Sequence, residues 1–140
     1  MRGAKIMAFS VTNDLITGNE MIDSQHRQLF KAINDFQDAC SSGQGKDRVS
    51  ATMKFLVDYT AKHFGDEERL QQQSNYPDQP NHKKLHEEFK SLVADLAKQQ
   101  QNEKSTIMVL TKLSNSLGNW FVNHIMREDK RIAAHVRSLG

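Results

Sequence analysis

Five of the six histidines in this 140-residue chain stand at spacings from which helices can aim imidazoles at one point, and two carboxylates stand among them. In chain order these are His26, then His63 and Glu67 in His-Phe-Gly-Asp-Glu, then His82 and His86 in His-Lys-Lys-Leu-His, then His124 and Asp129 in His-Ile-Met-Arg-Glu-Asp. A single tetrahedral metal uses four donors. Five imidazoles with two carboxylates able to bridge exceed that number and suit two metals of higher coordination sharing ligands.

Helices must position these donors. Only Pro77 and Pro80 interrupt the chain, and both fall in one short stretch, so most of it is free to be helical. A first periodic segment, from about Met21 to Cys40, places His26, Leu29, Phe30, Ile33 and Phe36 on one face and stops at Ser41-Ser42-Gly43. A second carries Val49, Met53, Leu56, Thr60, His63, Glu67 and Leu70 at alternating spacings of four and three. After a turn at Ser74-Asn75-Tyr76-Pro77, Asn81 is the expected N-cap of a third helix bearing His82, His86, Phe89, Val93 and Leu96. The Gln99–Asn102 patch breaks the apolar period and is expected to be a connection. Ile107, Leu110, Leu113, Leu117, Phe121 and His124 then mark a fourth helix, which Gly118 weakens without stopping.

Four helices joined by short connections must run antiparallel to their sequence neighbours. The expected fold is all-α: an antiparallel up-down-up-down four-helix bundle formed as a single domain by residues 20–140, with residues 1–19 as an extended N-terminal arm. In such a bundle the start of the first helix, the end of the second, the start of the third and the end of the fourth meet at one end. The seven donors occupy those places. Residues four apart lie about 40° apart around a helix, so His63 with Glu67, and His82 with His86, can address one volume.

Asp129 fits this scheme less simply. Five residues separate directions by roughly 140° on an ideal helix, so either the helix is locally widened after His124 or Asp129 reaches round from the edge of the stripe. Periodicity alone favours Glu128. Each donor also has a plainer reading, since a lone histidine on an apolar face is more often a packed imidazole than a ligand. Five together are different, because burying them without metal would leave many ring nitrogens wanting partners. His135 matches no ligand spacing and reads as an ordinary terminal residue. Asp23 reads as a helix cap, and Phe9, Phe36, Phe55, Phe64 and Phe89 as core.

Composition excludes several classes. The net charge of +2 is spread over interleaved acids and bases, so nucleic acid is not an expected partner. No run approaches the length of a membrane span, and the first ten residues are too weakly apolar for a signal peptide, which makes the cytoplasm the expected address. The single cysteine, Cys40, fits a reducing compartment and reads as a small helical hydrophobe. A monomer is expected.

The chain resembles the hemerythrins, and in particular the bacterial hemerythrins. The resemblance runs over nearly its whole length: Ile22-Asp23-Ser24-Gln25-His26 with Leu29-Phe30, His63-Phe64 with Glu67-Glu68, Tyr76-Pro77, His82 and His86 with Phe89, and Trp120-Phe121-Val122-Asn123-His124-Ile125 closing on Asp129-Lys130. It implies two non-haem irons, one held by His82, His86 and His124, the other by His26 and His63, with Glu67 and Asp129 bridging beside an oxo or hydroxo group. It further implies reversible dioxygen binding at the iron with two histidines, for storage, delivery or handling of oxygen, or alternatively as the sensing module of a signalling protein such as a chemotaxis receptor. Trp120, Phe121 and Ile125 would line the oxygen pocket. With five neutral imidazoles, only two anions and no evident acid near the site, holding oxygen is favoured over cleaving it, and no enzymatic activity is expected. The chain departs from the family pattern in having Phe9 where a tryptophan is usual, Gln71 where methionine is usual and Phe121 where leucine is common.

Overall fold

A computed structural model describes residues 9–43 and 45–139. Among these residues the chain is all helical: α1 (Glu20–Ser41), α2 (Lys46–Gln73), α3 (Gln79–Gln101), α4 (Ile107–His124), a π turn (Ile125–Asp129) and α5 (Lys130–Ser138), preceded by a 3-10 turn at Asn13–Leu15. The helices form a four-helix bundle in which α1 packs on α2 and α4, and α3 packs on the same two. Short connections at 42–45, 74–78 and 102–106 force each helix to run back along its predecessor. None of the described helices is long and apolar enough to cross a membrane.

The core is made by the predicted stripes. Leu29, Phe30, Ile33 and Phe36 of α1, Met53 and Leu56 of α2, Phe89, Val93 and Leu96 of α3, and Leu110, Leu117 and Phe121 of α4 are all buried. Phe64 and Cys40 join them, and burial raises the Cys40 thiol pKa. Phe55 does not: it is 48% exposed and stacks on Tyr59 at the surface, because it neighbours Leu56 and therefore points about 100° away from the stripe. Ile107, the first residue of α4, is also exposed, since the helix begins there beyond the packed layer.

Several helix ends differ from the sequence reading. Asn19, not Asp23, caps α1, its side chain accepting from Ile22 N at 3.1 Å. Asp23 instead takes Thr17 N, Thr17 Oγ1 and Gly18 N at 2.9, 2.7 and 3.1 Å, tying the end of the arm to the helix that follows it. α3 starts at Gln79 after Asp78, not at His82 after Asn81, with Pro80 in the first turn, where its missing N–H costs nothing. It also runs through Gln101, so the glutamine patch is helical: weak apolar periodicity there reflects an exposed helix end, since glutamine itself is a good helix former.

The described part of the arm lies on α1 and α4. Phe9 N donates to Asn34 Oδ1 at 2.9 Å while Asn34 Nδ2 donates back to Phe9 O at 2.7 Å, and the Phe9 ring lies over Phe30 at 5.9 Å. Gly118 makes room for that ring, because a Cβ there would fall inside it. The glycine that weakens α4 is thus the seat of the arm. Residues 1–8 of the expected arm lie outside the described residues.

The α2–α3 turn sets the end of the bundle where the histidines gather. α2 stops in a Schellman motif: Asn75, at φ 55, donates to Gln72 O at 3.2 Å, and Tyr76 N reaches back to Gln71 O at 2.9 Å. This fold-back buries Tyr76 with Ile22 and Ile132 in a layer that closes the bundle. Since a left-handed residue with a Cβ costs roughly 1–2 kcal/mol and asparagine is among the few that adopt it readily, Asn75→Ala is expected to lower unfolding free energy by about 1 kcal/mol and Asn75→Gly to leave it equal or higher. Urea denaturation of the two variants checks this.

Candidate metal centre

The seven predicted donors come together. His26 projects from the second turn of α1, His63 and Glu67 from the second half of α2, His82 and His86 from the first three turns of α3, His124 from the end of α4 and Asp129 from the end of the π turn. His26, His63, Glu67, His82, His86 and Asp129 are completely buried, and His124 nearly so. They form two overlapping groups, one of Glu67, His82, His86, His124 and Asp129 and one of His26, His63, Glu67 and Asp129, with the donor atoms of each within 4.8 Å of one another.

The π turn resolves the placement of Asp129. A turn bonded i→i+5 is wider than an α-turn, so five residues bring the chain back near its starting direction, and Asp129 shares the inward face with His124. Glu128, which ideal periodicity favours, is turned outward and takes Arg131 Nη1 at 3.3 Å. Of the two geometries open to the sequence, the widened helix is the one adopted.

Each carboxylate divides its oxygens between the two groups. Glu67 Oε1 lies 3.0 Å from His82 Nε2 and 2.9 Å from His86 Nε2, while its Oε2 faces His63 Nε2 at 3.7 Å. Asp129 Oδ1 lies 3.2 Å from His82 Nε2 and 3.1 Å from His124 Nε2, and its Oδ2 lies 2.8 Å from His26 Nε2. All five imidazoles therefore present Nε2 inward. His63 Nε2 and Glu67 Oε2 are buried without a hydrogen-bond partner, and His82 Nε2 and His124 Nε2 stand only 3.2 Å apart, a contact one proton can satisfy but two cannot. Converged, unpaired lone pairs of this kind fit metal cations.

Residues behind the donors fix their tautomers. Gln25 Oε1 accepts from His63 Nδ1 at 2.8 Å and Gln25 Nε2 donates to Asp66 Oδ2 at 2.7 Å; Glu68 Oε2 accepts from His86 Nδ1 at 3.0 Å. With the proton held at Nδ1, the Nε2 lone pair is left for metal. Neither role is visible from spacing, because Gln25 and His63 meet across two helices and Glu68 flanks the α2 stripe. Their only sequence signal is adjacency to a donor.

Aromatic rings enclose the inner side. Phe121 stands edge-on to His26 at 5.0 Å and to His63 at 5.9 Å, and Phe64 stacks on His86 at 3.9 Å. Ile125 is wholly buried. Trp120, grouped by the sequence with these two in one pocket, lies apart from them: it stacks on His124 at 4.7 Å and donates Nε1 to Glu88 at 2.7 Å, next to a surface cleft. One position before Phe121 on the helix, it is rotated by about 100° onto the outer side of His124.

The electrostatics follow from burying anions among imidazoles. Burial and the neighbouring Asp129 push the Glu67 pKa up, yet hydrogen bonds from His82 and His86 prevail and hold it at about 2. Asp129 is likewise held well below the usual carboxylate range, its burial outweighed by His124, His26 and His82. Burial lowers His63 to about 4 despite Glu67, whereas for His82 the opposing burial is overcome by Asp129 and Glu67, which raise it to about 9.

These shifts predict how the chain behaves when stripped of metal. His82 binds its proton more tightly folded than unfolded between its ordinary 6.5 and about 9, so its contribution is full below pH 6.5 and is lost as pH rises through 9. His63 does the reverse: between 6.5 and about 4 the unfolded chain binds the extra proton, and stability falls as pH drops through that window. The melting temperature in chelator is expected to decline on both sides of about pH 6.5, and His82→Gln to make the alkaline decline shallower, with His86, whose burial is outweighed by Glu67 and Glu68, retaining part of it. Thermal scans of parent and variant across this range check the sign.

The chain matches the hemerythrin HHE cation binding domain over residues 17–136. It is 35% identical over 127 residues to bacteriohemerythrin of Pseudomonas aeruginosa strain PAO1, covering 89% of this chain and 79% of that protein. With bacteriohemerythrin of Stenotrophomonas maltophilia it shares 32% identity over 126 residues, covering 90% and 80%. Among solved structures it is similar to a leucine-to-tyrosine mutant of hemerythrin, with a TM-score of 0.72 and 29% identity over 81% of this chain and 85% of that one. A domain match spanning most of the chain, two buried donor groups and the four-helix bundle agree: this chain is a member of the hemerythrin family, of the bacterial kind.

Proposed function

We propose that the chain binds dioxygen reversibly at a non-haem di-iron centre, for storage, delivery or handling of oxygen. The observation that carries this reading is the division of each carboxylate between the two histidine groups. One oxygen toward each group is the arrangement a bridging ligand needs. His82, His86 and His124 would hold one iron, His26 and His63 the other, and Glu67 and Asp129 would bridge them. The group with two histidines offers fewer protein donors and so leaves room for an exogenous ligand. When bound in the ferrous state, the iron pair supplies two electrons to dioxygen and recovers them on release.

The protein's part is to hold and shield. Phe121, against the two-histidine group and packed on Phe30 and Phe89, excludes water from that side, where Glu67 and Asp129 are held ionised and so offer a bound ligand no proton. Phe121 and Ile125 are therefore assigned to the oxygen side of the centre, and Trp120 to support of His124. Gln25 and Glu68 hold His63 and His86 in the tautomer that ligates.

Protein reconstituted anaerobically should carry two irons per chain and show a visible absorption band that appears in air and disappears on deoxygenation. One metal per chain, or zinc retention with no iron uptake under reducing conditions, would sink the reading. His82→Ala should lose iron and stability together, because metal binding is also folding energy, whereas Gln25→Leu should keep the two-iron stoichiometry with affinity weakened by about 10- to 100-fold, as for other orienting partners of histidine ligands. Chelator competition measures the second effect.

A further inference from the structure

The layer that closes the bundle below the metal centre contains polar atoms that the site does not use. Gln71, one turn beyond Glu67 on the same stripe of α2, is completely buried, and neither Nε2 nor Oε1 of its amide has a partner. The Tyr76 hydroxyl is buried and unpartnered as well, and so is His82 Nδ1, the outer nitrogen of a donor whose inner nitrogen meets Glu67 and Asp129. The Schellman turn brings these groups to one place: Tyr76 N is bonded to Gln71 O, and the Tyr76 ring stands edge-on to His82 at 6.4 Å and to His135 at 5.5 Å. His135, half-buried at the outer edge of this layer, is fixed to Ser74 O at 2.7 Å.

Orphaned amide and hydroxyl groups inside a folded chain call for partners. The amide supplies donors and an acceptor, the hydroxyl one of each, and His82 Nδ1 a donor. A small molecule with two hydrogens and two lone pairs satisfies all three, and internal water is held by two to four such contacts. We propose that Gln71, Tyr76 and His82 enclose an internal water site, which exchanges with solvent on the His135 side and holds the His82 Nδ1 proton so that Nε2 is left for metal. The aromatic face at Phe121 keeps water out; this opposite layer admits it in a controlled position. The role of this water in orienting a metal ligand rests on the function proposed above, but the water site does not.

Parent, Gln71→Met, Tyr76→Phe and the double variant separate the possibilities. Atomic-resolution diffraction of the parent should show a water bonded to the Gln71 amide and to Tyr76 or His82, absent from Gln71→Met. In metal-free protein Gln71→Met should not raise the melting temperature, whereas an amide left dry and unsatisfied would make that near-isosteric change stabilising. In iron-loaded protein the exchangeable imidazole protons are followed by paramagnetically shifted proton NMR. Transfer into D2O should replace the His82 Nδ1 proton several-fold more slowly in either variant than in the parent, while the His63 Nδ1 proton, held by Gln25, exchanges at the same rate in all. A dry Gln71 with raised stability in Gln71→Met, or unchanged His82 exchange in both variants, would overturn the proposal. Iron content is measured in every sample, so a parent that takes up no iron would defeat the functional reading while the diffraction and melting results still decide the water site.

Discussion

Two buried carboxylates that have no lysine or arginine partner among the described residues are the constraint on which this molecule is built. An isolated buried carboxylate is so costly that it normally takes up a proton, yet Glu67 and Asp129 are both held low by imidazoles ranged around them. Those imidazoles come from all four helices of the bundle. Anion solvation is thus distributed over the whole fold, and no helix can leave without exposing the deficit. The reverse also holds: the imidazoles cannot all be protonated, since burial drives His63 the other way. On the reading proposed above, metal cations at the two donor groups would supply positive charge in place of bound protons.

The π turn links this electrostatic demand to the backbone. By returning Asp129 to the inner face it turns Glu128 outward, where Arg131 contacts both Glu128 and Asp78 at 3.3 Å. Asp78 precedes α3, the helix that carries His82 and His86. One irregular turn in the last quarter of the chain therefore positions a carboxylate, and the same stretch is strapped to the start of the helix whose histidines that carboxylate meets. A regular α-helix here would have kept its backbone bonds and lost this coupling.

The bundle, its helix count and six of the seven inward donors are legible in the sequence because they depend on period and on which bundle end each residue occupies. Helix ends are not, for reasons of local chemistry. Asp23 has the composition of a cap but is drawn to the arm by Thr17 and Gly18, while Asn19 does the capping. Asn81 was a sound cap by type, yet α3 starts earlier because Pro80 favours a first turn. Phe55 has the residue type of a core position, but its register beside Leu56 turns it to the surface. Asp129 could be chosen over Glu128 only by resemblance, since no property of Ile-Met-Arg-Glu announces a π turn. Gln25 and Glu68 act on neighbours distant in sequence, and only coordinates bring them together.

The same geometry gives the centre two unlike faces. Toward the middle of the bundle lie Phe30, Phe64, Phe89 and Phe121, four fully or almost fully buried rings, and the Gln25 amide beside the two-histidine group is tied to His63 Nδ1. Toward the end lie Gln71, Tyr76 and the folded-back turn after α2, where apolar Ile22 and Ile132 share the layer with an amide and a hydroxyl. On the function proposed above, the exogenous ligand belongs on the first face and the internal water on the second. The asymmetry arises from the antiparallel fold: placing the donors one or two turns from the helix ends puts the full length of the core on one side and a single closing layer on the other. Had the donors been placed mid-helix, both faces would have been core, and solvent would have had no short way in.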